Sequence, residues 1–173
     1  MSENITIDLE GLSKEEREQL LRLVEKAKKP KKIWKPKCGE KYWYITLVGV
    51  SEETWNGSGD GFDLGAYELG NCFRTKEEAE FAREKQKIKV GLQRFADEHN
   101  DPEKLGWNGI NEHCSIRYNY WTNDLVTSCM QQSKDIDCIY FSSKEIADAA
   151  IETIGKERIL KYMFDIETKE NEQ

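Results

Sequence analysis

The side chains best suited to catalysis or metal binding in this 173-residue chain are two histidines and five cysteines, and their spacing suits neither task. His99 falls at the end of an expected helix among Asp97, Glu98, Asn100 and Asp101, where a cation complements the helix dipole. His113 opens an expected strand and is read as facing solvent. Neither belongs to a G-x-S-x-G, H-E-x-x-H or phosphate-cradling G-x-x-x-x-G-K-[S/T] motif. Cys38, Cys72, Cys114, Cys129 and Cys138 are odd in number and contain no C-x-x-C pair. A zinc site from Cys38, Cys72, His113 and Cys114 would need two adjacent ligands, an unusual spacing. Free thiols in a reducing environment are therefore expected rather than a disulfide framework. Residues 56–67 imitate a calcium loop, with Asn56, Ser58 and Asp60 at alternate positions followed by Gly61. The closing position holds Tyr67, where a bidentate Glu is required. The expectation is a protein with no catalytic set, no cofactor and no metal.

What remains is binding by aromatic and charged side chains. Trp55, Phe62, Trp107 and Trp121 lie on expected loops or strand ends, where aromatics anchor interfaces or stack on bases. With Asp60 and Asp63 of the 56–65 segment, they are candidate contact residues. Lys28, Lys29, Lys31 and Lys32 are candidates of a different kind, able to meet phosphate. They belong to an uneven charge distribution. The formal charge of −7 divides into −4 on residues 1–25, +7 on residues 26–37 and −10 on residues 38–173. An acidic body disfavours non-specific contact with nucleic acid and favours basic partners. No apolar run reaches the length of about 18 residues that a membrane span needs, and the N-terminus lacks the layout of a secretory signal. With 38% apolar and 10% aromatic residues the chain can bury a core, which a disordered sequence cannot.

These residues must be held by elements that periodicity and capping reveal. Ile5, Ile7 and Leu9 alternate with polar residues in an extended lead-in. Ser13 with Glu16 forms a capping box, and Leu20, Leu23, Val24 and Ala27 make one apolar stripe on a helix ending before Pro30. Tyr42–Val48 is aromatic and β-branched, the pattern of a strand. Residues 56–65 read as a loop and Tyr67–Phe73 as a second strand. Thr75 and Glu78 open a long helix carrying Phe81, Ile88, Leu92 and Phe95. Strands are expected at Ile116–Tyr120, Leu125–Gln131 and Asp137–Phe141. A helix after Ser143 ends at Gly155, and a short helical piece follows.

Phe73–Ala82 and Phe141–Ala150 share the pattern Phe-x-[Thr/Ser]-Lys-Glu-x-Ala-acid-x-Ala. Each Phe closes a strand, each hydroxyl caps a helix, and each small Ala lets that helix lie close to a sheet. The class that follows is α+β: two tandem ββ(β)α units, antiparallel sheet with helices packed on one side, preceded by an N-terminal helix. The expected divisions are residues 1–37, 38–100 and 101–173.

The segments Trp34-Lys35-Pro36, Gly39-Glu40-Lys41-Tyr42-Trp43-Tyr44-Ile45 and Leu69-Gly70-Asn71-Cys72-Phe73-Arg74-Thr75-Lys76-Glu77-Glu78-Ala79-Glu80 resemble small, mostly uncharacterised proteins of phages and prophages of Gram-positive bacteria. The likeness is strongest over residues 34–98. It implies an accessory protein acting in a bacterial cytoplasm and brings no functional residues with it. Small phage proteins without catalytic motifs often inhibit host machinery, as anti-CRISPR and other counter-defence factors do. The expectation is thus a non-enzymatic protein that binds and inhibits a host protein. The alternative is a nucleic-acid or signalling-nucleotide binding module using the lysine run and loop aromatics.

Overall fold

A computed structural model describes residues 13–28, 34–57 and 61–166. The chain divides into residues 1–35 and a compact body spanning residues 36–173. In the first part, helix α1 covers Lys14–Lys28. Its start is the expected capping box: the Glu16 N–H donates to Ser13 Oγ at 3.3 Å, and the Ser13 N–H and hydroxyl donate to Glu16 Oε2 at 2.9 and 2.7 Å. Those bonds hold the Glu16 carboxyl below its ordinary pKa. The lead-in at Ile5, Ile7 and Leu9 lies outside the described residues.

The body begins with a hairpin of β1 (Lys41–Ile45) and β2 (Val50–Thr54), paired antiparallel with Trp43 opposite Glu52. Helix α2 (Gly61–Glu68) and helix α3 (Lys76–His99) follow. A second antiparallel hairpin, β3 (His113–Asn119) with β4 (Asp124–Gln131), precedes helices α4 (Lys144–Ile154) and α5 (Lys156–Phe164). The expected α+β class with tandem ββα order is what forms, as two small two-stranded sheets rather than one broad one.

The duplicated motif has a structural counterpart on the backbone. Phe73 bridges Trp43 of β1 through N–H···O bonds of 2.8 and 2.9 Å. Phe141 bridges Cys114 of β3 in the same way, also at 2.8 and 2.9 Å. Two residues later a hydroxyl caps the helix, Thr75 Oγ1 accepting from Glu78 N–H and Ser143 Oγ from Ile146 N–H. Ala79 and Ala147, the matching small residues, are both fully buried. Aligning the two repeats on these bridges makes Tyr42 equivalent to His113, and both are 0% exposed.

The two repeats share a core. Ile88, Leu92 and Ala96 of α3 cluster with Cys114, Phe141, Ala147, Ala150 and Ile159. Gly91 lies on α3 where an added Cβ would approach Ile154 Cδ1 to 2.9 Å, so its missing side chain lets α3 and α4 pack closely.

Several expected elements take another form. Residues 61–65 are helical, not loop, and Tyr67–Phe73 is a helix end, a turn and a single bridge rather than a strand. The partner of β1 is β2, an acidic segment that carries no strand pattern. Residues 137–141 contribute one bridge rather than a strand. Cys114 and Cys129 form a disulfide across the β3–β4 hairpin, which corrects the expectation of free thiols for this pair. Cys38, Cys72 and Cys138 are free. His113 is fully buried rather than solvent-facing, because the 101–112 segment folds over it: Trp107 stacks on its ring at 3.7 Å, and its Nε2 lies 3.2 Å from the Leu105 carbonyl.

Candidate functional site

Of the candidate contact residues, Trp55, Phe62 and Asp63 line one concavity of about 560 Å³, whose lining does not include Trp107 or Trp121. Trp55 is 5% exposed, packed edge-on against Tyr42 and Tyr67 at 5.9 and 6.3 Å, and so belongs to the core. Asp63 is also buried; it accepts from the Tyr42 hydroxyl at 2.8 Å and from the Asn56 N–H at 2.7 Å. Burial and then this bond raise the Tyr42 phenol above its ordinary pKa. Asp63 thus ties β1 to the start of α2. Phe62 is exposed and rests edge-on against Tyr44 at 5.3 Å. Trp107 is half-buried on His113, with Lys134 Nζ 5.3 Å from its ring centre. Trp121 is almost fully exposed at the β3–β4 turn beside exposed Tyr120. Lys28 ends α1, while Lys29, Lys31, Lys32 and Asp60 lie outside the described residues.

A larger concavity, with the geometry of a docking site, lies apart from those candidates. A groove of about 980 Å³ runs between the β1–β2 turn, the turn after α2 and one face of α3. Its apolar lining is Ile45, Leu47, Leu69, Phe73, Ala82 and Val90. Leu47 is fully exposed, Leu69 is 85% exposed and Val90 is 40% exposed. Arg83 and Lys87 are the charged lining residues, and no acid is among the lining.

Local sequence explains how these walls are set. The segment Ala66–Asn71 closes α2 as a Schellman turn. The Asn71 N–H reaches the Ala66 carbonyl at 2.7 Å, and the Gly70 N–H reaches that of Tyr67 at 3.0 Å. Gly70 adopts φ +69°, a conformation that favours glycine. The Asn71 side chain then mimics a strand partner for Ile45, accepting its N–H at 2.7 Å and donating to its carbonyl at 3.0 Å. This clamp holds Leu69 beside the end of β1. Arg83 and Lys87 sit one turn apart on α3 and both meet Glu84.

Among the described residues no group of three His, Cys, Asp or Glu side chains could hold a metal ion. Among them, too, no helix is long and apolar enough to cross a membrane. Comparison with protein families, with curated proteins and with solved structures finds no match to this chain.

Proposed function

We propose that this chain is a non-enzymatic binding protein that docks on and inhibits a host protein. In the phage setting that the resemblance implies, the target is a bacterial defence factor, in the manner of anti-CRISPR and other counter-defence proteins. The observation that carries the reading is the groove: three large aliphatic side chains, Leu47, Leu69 and Val90, stand in water around one concavity. Apolar surface left open in this way is a cost that a binding partner removes. Its lining of aliphatic side chains beside Arg83 and Lys87 supports recognition.

The test is affinity capture from host lysate with the wild-type chain and with Leu47→Asp/Leu69→Asp. Both positions are exposed, so the variant keeps its fold. A single protein retained by wild type and lost by the variant, together with relief of phage restriction when wild type is expressed, is the expected result. Equal capture by both proteins, or none, refutes the reading. The nucleic-acid alternative rests on the lysine run, which borders and extends beyond the described residues.

A further inference from the structure

The second repeat provides a comparison for the groove. Aligned on the Phe73 and Phe141 bridges, the lining residues Ile45, Ala82 and Gln86 of the first repeat correspond to Ile116, Ala150 and Ile154 of the second. In the second repeat that surface is covered. Ile116, Ala150 and Ile154 belong to the apolar cluster that Ile159, Met163 and Phe164 of α5 complete. The Phe164 ring lies 6.0 Å from that of Tyr118. Helix α3, with Gly91 against Ile154, and helix α5 together close one copy of the surface, while the other copy stands open.

Charge refines the match. Helix α5 is basic at its rim, and it meets acids: Lys156 pairs with Asp124 at 2.7 Å and Arg158 with Glu84 at 3.4 Å. The open groove carries Arg83 and Lys87 on its rim, two cations that share the single acid Glu84 and leave the rim net positive. Resting on the binding reading above, we propose that this groove receives an amphipathic helix of a protein partner, apolar toward Leu47, Leu69 and Val90 and acidic toward Arg83 and Lys87. This is helix-in-groove recognition, in which anchors three and four residues apart fill a preformed channel.

The experiment titrates the isotope-labelled full chain with helix-stabilised peptides spanning residues 156–166. One peptide has the natural sequence, one carries Lys156→Glu, Arg158→Glu and Lys161→Glu, and one is a scramble of the acidic peptide. The expected result is amide shifts at Ile45, Leu47, Leu69 and Val90 with the acidic peptide. Its affinity should exceed that of the natural peptide about tenfold at low salt, and the gap should close as salt screens the rim. The scramble should fail, and Leu69→Asp should abolish the shifts. No shift with the acidic peptide at about 1 mM, the weak limit of useful affinity, overturns the proposal. Equal binding by the scramble does the same. So does a concentration-dependent dimer abolished by Leu69→Asp, which would give the groove to a second copy. If the peptides fail while the groove variant still loses its captured protein, the helix is wrong and the binding reading survives. If capture is indifferent to the groove, the binding reading itself falls.

Discussion

Asp63 separates a scaffold residue from a contact residue, and its replacement can be worked through. Both carboxylate oxygens are engaged, one by the hydroxyl of Tyr42 and one by the Asn56 N–H, at a site 4% exposed. In Asp63→Ala two donors lose their acceptor. Each buried donor left unpaired costs about 1–3 kcal/mol, so about 2–6 kcal/mol is at stake. Removing a buried carboxylate returns some of this, since its own desolvation cost disappears with it. About 3 kcal/mol of net destabilisation is expected. For a chain of this length that corresponds to a fall in Tm of about 6–12 °C. Tyr42→Phe should cost about 1–2 kcal/mol, and the double variant should be less destabilised than the sum of the two singles, because the pair acts as one unit. Urea or thermal melting followed by tryptophan fluorescence suits the question, since Trp55 lies 5.9 Å from the Tyr42 ring. An Asp63→Ala protein that melts like wild type yet loses its partner would refute the scaffold reasoning and return Asp63 to the contact surface.

Other expectations follow from the same packing. Thr75→Ala and Ser143→Ala should each cost about 1 kcal/mol in urea melts, because each removes the side-chain acceptor at one helix start, and two unequal values above that range would deny the repeats their common cap. Burial, with Asp63 nearby, pushes the Cys72 thiol up to about 11. At pH 8 that leaves about a hundredfold less thiolate than an ordinary cysteine, so alkylation of Cys72 should quicken by about that factor on unfolding. Mass spectrometry of alkylated native and urea-treated protein reads this directly, and equal rates would contradict it. Alkylation without reductant should also leave Cys114 and Cys129 unmodified.

Sequence logic succeeded where a residue type acts locally. Thr75, Ser143 and Ser13 cap helices because a short hydroxyl beside free N–H groups has one favourable use. It failed where tertiary partners decide. Gly61 and Gly65 make α2 a poor helix by propensity, yet Asp63 and Ala66 are buried and fix the segment against β1. Val50-Ser51-Glu52-Glu53-Thr54 has no apolar alternation; it is a strand because β1 offers it a ladder, with Lys41 paired to Glu52 at 2.5 Å. The disulfide was hidden because its 15-residue separation becomes proximity only when the hairpin register is known. The groove was hidden for a related reason: Leu47, Leu69 and Val90 share no periodicity, and the Asn71 clamp and the α2 turn bring them together.

The contrast between the covered and open surfaces yields a last test that needs no partner. Ile159 is 1% exposed in the cluster that seals the second repeat, so Ile159→Ala removes buried carbon and leaves a cavity, a change that costs about 2–4 kcal/mol in well-packed sites. Leu69 is a similar aliphatic side chain but 85% exposed, so Leu69→Ala should change stability by less than about 0.5 kcal/mol. The two substitutions therefore divide by function. Ile159→Ala should lower Tm whether or not a partner is present. Leu69→Ala should leave the free chain unchanged and weaken the complex, because Leu69 would become buried only there. A large loss of stability from Leu69→Ala in the free protein would mean that the chain already covers this groove with its own residues, and an open docking surface would no longer explain why Leu47, Leu69 and Val90 stand around it.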